Sequence, residues 1–187
     1  MSSQLVQAVA QKFEQLASST ADSALTGFCH FSLPAEMVLG SSTQNRALHP
    51  QALFLNRQGT EYWGVGAVEL YRSQKELEQG VETWTTKQSG DNNSWLIGGR
   101  TFSPLHSTSS EWSDFSDYFF FLPRFAFLRH QNSLGTLTIN LQGATSNQLP
   151  ALLSQLAELI NSTTYYPLPK PHSSTALPPQ SEFEQMV

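Results

Sequence analysis

Three carboxylates between positions 111 and 117 form the densest group of side chains that could do chemistry. Glu111, Asp114 and Asp117 are spaced three residues apart in a Ser-rich stretch. Such a group could hold a divalent cation, or could act as a general acid and base pair. In a polar loop, however, Asp and Glu more often act as solvated caps of turns or strand ends. We therefore treat the group as a candidate metal site and expect the capping role.

The histidines and the single cysteine do not form a recognisable site. The five histidines have no ligand spacing and no nucleophile close to them in sequence: His30, His49, His106, His130 and His172. We interpret them as surface or packing residues. Cys29 precedes His30, but neighbouring residues of a strand point to opposite faces, so the two cannot pair side by side. Cys29 is expected to be a small buried side chain.

Two adjacent glycines, Gly98 and Gly99, interrupt an aromatic and aliphatic run that resumes at Phe102 and stops at Pro104. Glycines weaken a strand, so a bulge, a bend or a close backbone approach is expected at this point. The pair belongs to no GxGxxG loop, and no Walker pattern follows it. We interpret it as an architectural bend rather than a ligand contact.

Two amphipathic helices are predicted near the two ends of the chain. The first runs from about Ser3 to Ser18, because its apolar residues recur at steps of three and four. The second is expected to have Asn147 as N-cap and Pro150 in its first turn. Its apolar stripe comprises Leu149, Leu152, Leu153, Leu156, Leu159 and Ile160.

Strands are predicted between these helices. The run from Leu25 to Leu33 is one short strand, and two more flank the connector from Asn56 to Thr60, as in a hairpin. A capped helix follows, with Ser73 and Glu76 in capping-box spacing and Gly90 as its stop. The 25 residues from Asp117 to Leu141 are expected to hold two or three strands, the last pair joined by a turn at Asn132 to Gly135.

Composition places this chain among globular proteins, because 39% of its 187 residues are hydrophobic and 11% are aromatic. The formal charge of -5 offers no basic face to nucleic acid. One cysteine allows no intramolecular disulfide, and neither a signal peptide nor an 18-residue apolar run is evident. We therefore expect a cytosolic protein with no nucleic-acid or membrane partner. One unit is expected over residues 1–164, followed by a Pro-rich linker or tail over residues 165–187.

The order of segments resembles the N-terminal half of the isochorismate synthases, closest to the menaquinone branch of the chorismate-utilising enzymes. The resemblance covers about Leu53 to Leu141. It rests on the spacing of Gly98, Phe102 and Pro104, then on "LPR" at positions 122–124, and then on Arg129 and the Thr-rich strand from Thr136 to Thr138. It implies an α/β (α+β) fold, mainly an antiparallel sheet layered with helices, forming half of a larger sandwich.

The same resemblance implies where the chemistry lies. In that family the base lysine, the acid glutamate, the magnesium-binding glutamates and the chorismate-binding basic residues belong to the C-terminal half. No catalytic, cofactor-binding or metal-binding residue is therefore assigned to this chain, and Lys170 lacks the family's lysine context. The resemblance implies chorismate and magnesium for the parent enzyme, the missing C-terminal half as a partner, and an inactive fragment here. The alternative is a stand-alone, non-catalytic binding or interaction module, using its aromatic strands or the Pro-rich tail.

Overall fold

A computed structural model describes residues 2–19, 28–33, 48–87, 95–100, 118–130 and 135–162. Within these ranges the fold is an antiparallel sheet with three helices, as the sequence predicts. The helices are α1 (Ser2–Ser19), α2 (Gln74–Lys87) and α3 (Leu149–Ser162). The six strands are β1 (Phe28–Leu33), β2 (Gln51–Leu55), β3 (Glu61–Tyr71), β4 (Ile97–Arg100), β5 (Tyr118–Arg129) and β6 (Gly135–Asn140).

The strands join in the order β1-β6-β5-β3-β2, and β4 pairs with the first part of β5. All of these pairings are antiparallel. The predicted hairpin is confirmed: Asn56 Oδ1 accepts hydrogen bonds from the backbone N–H groups of Gln58 and Thr60, each at 2.9 Å. Gly59 in this turn has φ of 75°, which a side chain would disfavour.

The main core lies between one face of the sheet and the helices α1 and α3. The apolar stripe of α1 contributes Leu5, Val9 and Phe13, all of them buried. On the sheet, Trp63 and Phe127 are directly opposite on β3 and β5, and their rings stack with centroids 5.0 Å apart. Burial of large aromatic side chains of this kind is a major source of folding free energy.

The segment from position 117 to 141, for which two or three strands are predicted, holds two strands in its described part, β5 and β6. The strand β5 continues through Pro123. Proline cannot donate to a ladder, but at Pro123 the ladders are already irregular. The β4 pairing ends at Phe121 and the β6 pairing begins at Phe125, while the β3 pairing shifts between Ala67 and Glu69. A long strand can therefore accommodate this proline.

The starts of α2 and α3 differ in detail from the predicted caps. Ser73 Oγ accepts from the backbone N–H of Glu76, as a capping box requires, but the Glu76 carboxylate accepts from the N–H of Arg72 at 2.6 Å. The prediction of Asn147 as N-cap of α3 is wrong, because Asn147 lies inside a 3-10 turn (Ser146–Gln148) that precedes the helix. That turn is closed by Gln148, whose side-chain oxygen accepts from the N–H of Thr145 at 3.0 Å.

The ends of several predicted segments lie outside the described residues. These include the Gly90 stop, the turn at 132–134, the strand end at Phe102 and Pro104, and the Pro-rich segment over 165–187. No helix among the residues that the structure describes is both long and apolar enough to cross a membrane.

Candidate functional site

A cavity of about 310 Å³ opens beside the irregular centre of the sheet, against the first two turns of α3. Its walls come from segments that are distant in sequence: the residues just before β2, the middle of β3, the middle of β5, and the start of α3 with the connection that precedes it. Buried apolar side chains form one part of the lining: Leu48, Phe125, Ala144 and Leu152. Polar side chains form the other part: His49, Arg124, Gln148 and Gln155.

Arg124 is the cation of this cavity. Its Nη1 donates to the backbone oxygen of Asn140 at 2.5 Å, and Asn140 Nδ2 donates to the backbone oxygen of Pro123 at 2.5 Å. The two bonds join β5 to the end of β6 where Pro123 interrupts regular pairing. The guanidinium is half-buried, and this loss of hydration lowers the pKa of Arg124 from its ordinary value.

The backbone of β3 fits closely against Arg124. Gly66 lies opposite it with φ of 66°, and a Cβ built on Gly66 would stand 3.3 Å from the Cβ of Arg124. The N–H of Gly66 donates to the backbone oxygen of Pro50 at 2.9 Å, which ties the middle of β3 to the residue just before β2. The glycine thus permits a backbone conformation that a side chain would strain.

A second polar cluster lies at the far end of β3. The Glu69 carboxylate accepts hydrogen bonds from the hydroxyl of Tyr71 and from the side-chain amide of Gln142. Tyr71 is buried against α2, where its ring stands so close to Gly80 that a Cβ there would lie 2.1 Å from it. Burial, followed by the bond to Glu69 and its negative charge, raises the pKa of the Tyr71 hydroxyl well above its ordinary value.

A third polar cluster joins the hairpin to the end of β5. Arg129 Nη2 donates to Glu61 Oε1 at 2.5 Å, and these two residues are direct cross-strand partners. Beside them, Thr60 Oγ1 lies 3.2 Å from His130 Nδ1. Among the described contacts, Glu61 therefore binds Arg129, and Glu69 binds Tyr71 and Gln142.

The described residues contain no group of three or more His, Cys, Asp or Glu side chains placed to hold a metal ion. Arg124 and the cavity around it are therefore the feature of these residues with the clearest capacity to bind a small molecule. The arrangement can position an anion, but it presents no nucleophile.

The sequence of this chain was compared with models of known protein families. A family model described as chorismate binding enzyme matches residues 39–187, most of the chain. The chain belongs to the chorismate-binding enzyme family. Comparison with curated proteins gives no match.

The fold of this family member is also similar to a solved structure. That structure is MenF, the menaquinone-specific isochorismate synthase from Escherichia coli, with a TM-score of 0.52 and 18% sequence identity. The similarity covers 97% of this chain and 40% of the MenF chain. The predicted resemblance to the chorismate-utilising enzymes and the predicted fold class are confirmed.

Few of the candidate site residues of the sequence fall in the described part of this chain. The carboxylates Glu111, Asp114 and Asp117 lie outside it, as do His106, Lys170 and His172. Cys29 and His30 lie in β1, opposite Ile139 and Thr138, and only their backbone is described. His49 and His130 are both exposed, and they lie in different surroundings: His49 lines the cavity and His130 contacts Thr60.

Gly98 and Gly99 prove to have different surroundings. A Cβ on Gly98 would stand 2.0 Å from the backbone oxygen of Phe119, whereas no described atom lies within 4 Å of a Cβ on Gly99. The close approach is made by β5, the neighbouring strand, and it supports an architectural role for Gly98. The expected bend of the strand stays a prediction.

The Arg124 cavity was not among the sites predicted from the sequence. One signal was present, because Arg124 is a basic residue inside a long aromatic and aliphatic run, "FFFLPRFAF". A charge in such a run is costly to bury unless it is paired, so it marks a point where the strand meets polar groups or a ligand.

Proposed function

We propose that this chain is the N-terminal part of an isochorismate synthase of the menaquinone branch, which interconverts chorismate and isochorismate with magnesium. The observation that carries the proposal is the similarity to MenF over 97% of this chain, together with the family match. A cytosolic location is part of the same proposal.

The chemistry of this reaction requires groups that the described residues do not provide. Water must be added at one ring carbon while hydroxide leaves another, which calls for a base, an acid and a cation on the substrate carboxylates. A positioned acid or base typically contributes about 10² to 10⁴ in rate. The described residues do not fit a magnesium site, so we derive no step through the metal. We propose that the 187 residues alone do not turn over chorismate.

The direct test is a coupled isochorismate assay with magnesium. The 187-residue chain and its Glu111→Ala, Asp114→Ala, Asp117→Ala triple variant should both show no turnover above the uncatalysed rate. Turnover by the parent chain that the variant loses would contradict the proposal and would locate an active site at those carboxylates.

A second candidate function is a stand-alone interaction module, which is favoured by the exposed side chains of β2. This strand is the last of the sheet in the described residues, and Leu53, Phe54 and Leu55 are 51%, 63% and 48% exposed. An apolar edge strand of this kind is a surface for another polypeptide. The isochorismate synthase proposal requires the same surface to meet the rest of the enzyme.

The coding sequence downstream of codon 187 separates the two functions. If an open frame continues there with a Lys-Val-Val-Leu-Ala-Arg-like strand, its full-length product should isomerise chorismate with magnesium. A stop codon with no such frame, or a full-length product without isomerase activity, would favour the interaction module.

A further inference from the structure

We propose that the Arg124 cavity is a binding site for a small carboxylate carried on an apolar ring. The juxtaposition that supports this is a single cavity of about 310 Å³ whose lining includes both the half-buried Arg124 and several buried apolar residues. The proposal goes beyond the proposed function, because it concerns binding at residues of this chain and does not depend on turnover.

The charge balance of the cavity is the first step. Among the described residues, no Asp or Glu lines the cavity, and the polar lining besides Arg124 consists of His49, Gln148 and Gln155. Glu61 and Glu69 are not among the lining residues, and their carboxylates bind Arg129 and Tyr71 respectively. A partly desolvated cation whose charge is not offset by a carboxylate favours an anionic ligand.

The hydrogen-bonding capacity of Arg124 is the second step. A guanidinium has five N–H donors in a planar fork, and the described contact to the Asn140 backbone oxygen uses Nη1. The remaining donors match the two oxygens of a carboxylate, which a guanidinium can bind in bidentate fashion. Because the bond to Asn140 fixes the side chain in place, little further ordering is required on binding.

The apolar part of the lining, here called the apolar wall, decides what carries the carboxylate. Leu48, Phe125 and Leu152 line the cavity and are almost completely buried, with exposures of 2%, 0% and 9%. A fully polar anion would leave this wall facing water, whereas a ring would cover it. The volume lies at the lower end of the range for small-molecule sites, so it suits one ring with its substituents. The cavity also faces the first turns of α3, where the helix dipole favours negative charge.

The test uses benzoate as the probe and benzamide as its neutral control, with binding to the 187-residue chain followed by amide chemical-shift changes in NMR. Benzoate should shift the signals of Gln155 and its neighbours in a saturable way at millimolar concentration. Benzamide, which has the same ring and no charge, should bind about tenfold more weakly or not at all.

The matched variants are Gln155→Glu and Arg72→Gln. Gln155→Glu is isosteric, leaves the bond from Arg124 to Asn140 in place, and puts a carboxylate on the cavity wall that competes for Arg124. It should weaken benzoate binding by about tenfold or more. Arg72→Gln removes an exposed cation outside the cavity and should leave benzoate affinity unchanged.

Arg124→Gln should also abolish the preference for benzoate over benzamide, and circular dichroism establishes whether it folds. If Arg124→Gln fails to fold, Gln155→Glu decides the question alone. Equal affinities for benzoate and benzamide, unchanged benzoate affinity in Gln155→Glu, or no binding of benzoate to the folded parent chain would each overturn the proposal. Because no arm measures isomerisation, its outcome is independent of the isochorismate assay.

Discussion

The two adjacent glycines of β4 allow a matched test of the sheet, because an alanine at one should be far more harmful than an alanine at the other. At Gly98 the new methyl group would stand 2.0 Å from the Phe119 oxygen and 2.5 Å from the Phe120 Cα. Both atoms are backbone atoms of β5, so rotation of a side chain cannot relieve the contact. At Gly99, no described atom lies within 4 Å of the added methyl group.

The magnitude follows from these distances. Overpacking of this kind costs about 1–3 kcal/mol, and backbone contacts belong at the upper end, so we expect Gly98→Ala to lower the free energy of unfolding by about 2–3 kcal/mol. The cost is bounded above by detachment of β4, which pairs with β5 over four residues. Gly99→Ala should be neutral or stabilise by up to about 1 kcal/mol, because alanine loses less conformational freedom on folding.

The assay is urea unfolding followed by tryptophan fluorescence, supported by thermal melts. For a chain of this length, each kcal/mol corresponds to about 2–4 °C, so Gly98→Ala should melt roughly 4–12 °C below the parent chain. Trp95 adds a local signal, because it precedes β4 and meets the Tyr62 ring edge-on at 5.2 Å. If the two alanine variants differ by less than about 0.5 kcal/mol, the close approach of β4 to β5 is wrong.

Two further predictions concern the polar clusters of the sheet. Because native Tyr71 has a raised pKa, its contribution to stability should be complete below about pH 10 and should decline as the pH rises further. The difference in absorbance at 295 nm between the parent chain and Tyr71→Phe should show a tyrosine that ionises at a pH above that of an ordinary tyrosine. Glu69→Gln should lower the pH at which this tyrosine ionises. A difference curve centred near pH 10 would contradict the prediction. Glu61→Gln should cost about 1–3 kcal/mol in urea unfolding, because it leaves the half-buried Arg129 without its carboxylate. An effect of Glu61→Gln no larger than that of an exposed Glu78→Gln control would show that the pair contributes only surface electrostatics.

Local sequence patterns predicted the elements whose causes are local. The three-and-four spacing of Leu5, Val9 and Phe13 predicted α1, and Asn56 in a Gly-containing connector predicted the hairpin. The capping residues Ser73 and Glu76 predicted the start of α2. In each case the residues that determine the structure lie close together in the sequence.

The features that sequence reasoning missed depend on contacts between distant segments. Pro123 lies within one continuous strand because its neighbours β4 and β6 pair with different parts of β5, which cannot be seen in the local pattern. The Arg124 cavity draws its lining from four regions between Leu48 and Gln155. The acidic candidates of the sequence analysis could not be compared with it, since they lie outside the described residues.

The pairing of β1 with β6, and the packing of α1 on α3, have a consequence for synthesis on the ribosome. Residues from the first fifth of the chain find their partners only from residue 135 onwards, so the core cannot close until α3 has been made. At about 5–20 residues per second, the ~100 residues between Trp63 and the end of α3 take roughly 5–20 s to synthesise. During that interval the aromatic side chains of β3, and then those of β5, are without α3, which completes the core. The nascent chain should therefore be a client of ribosome-associated chaperones, and faster translation of the segment after β5 should raise the yield of folded protein.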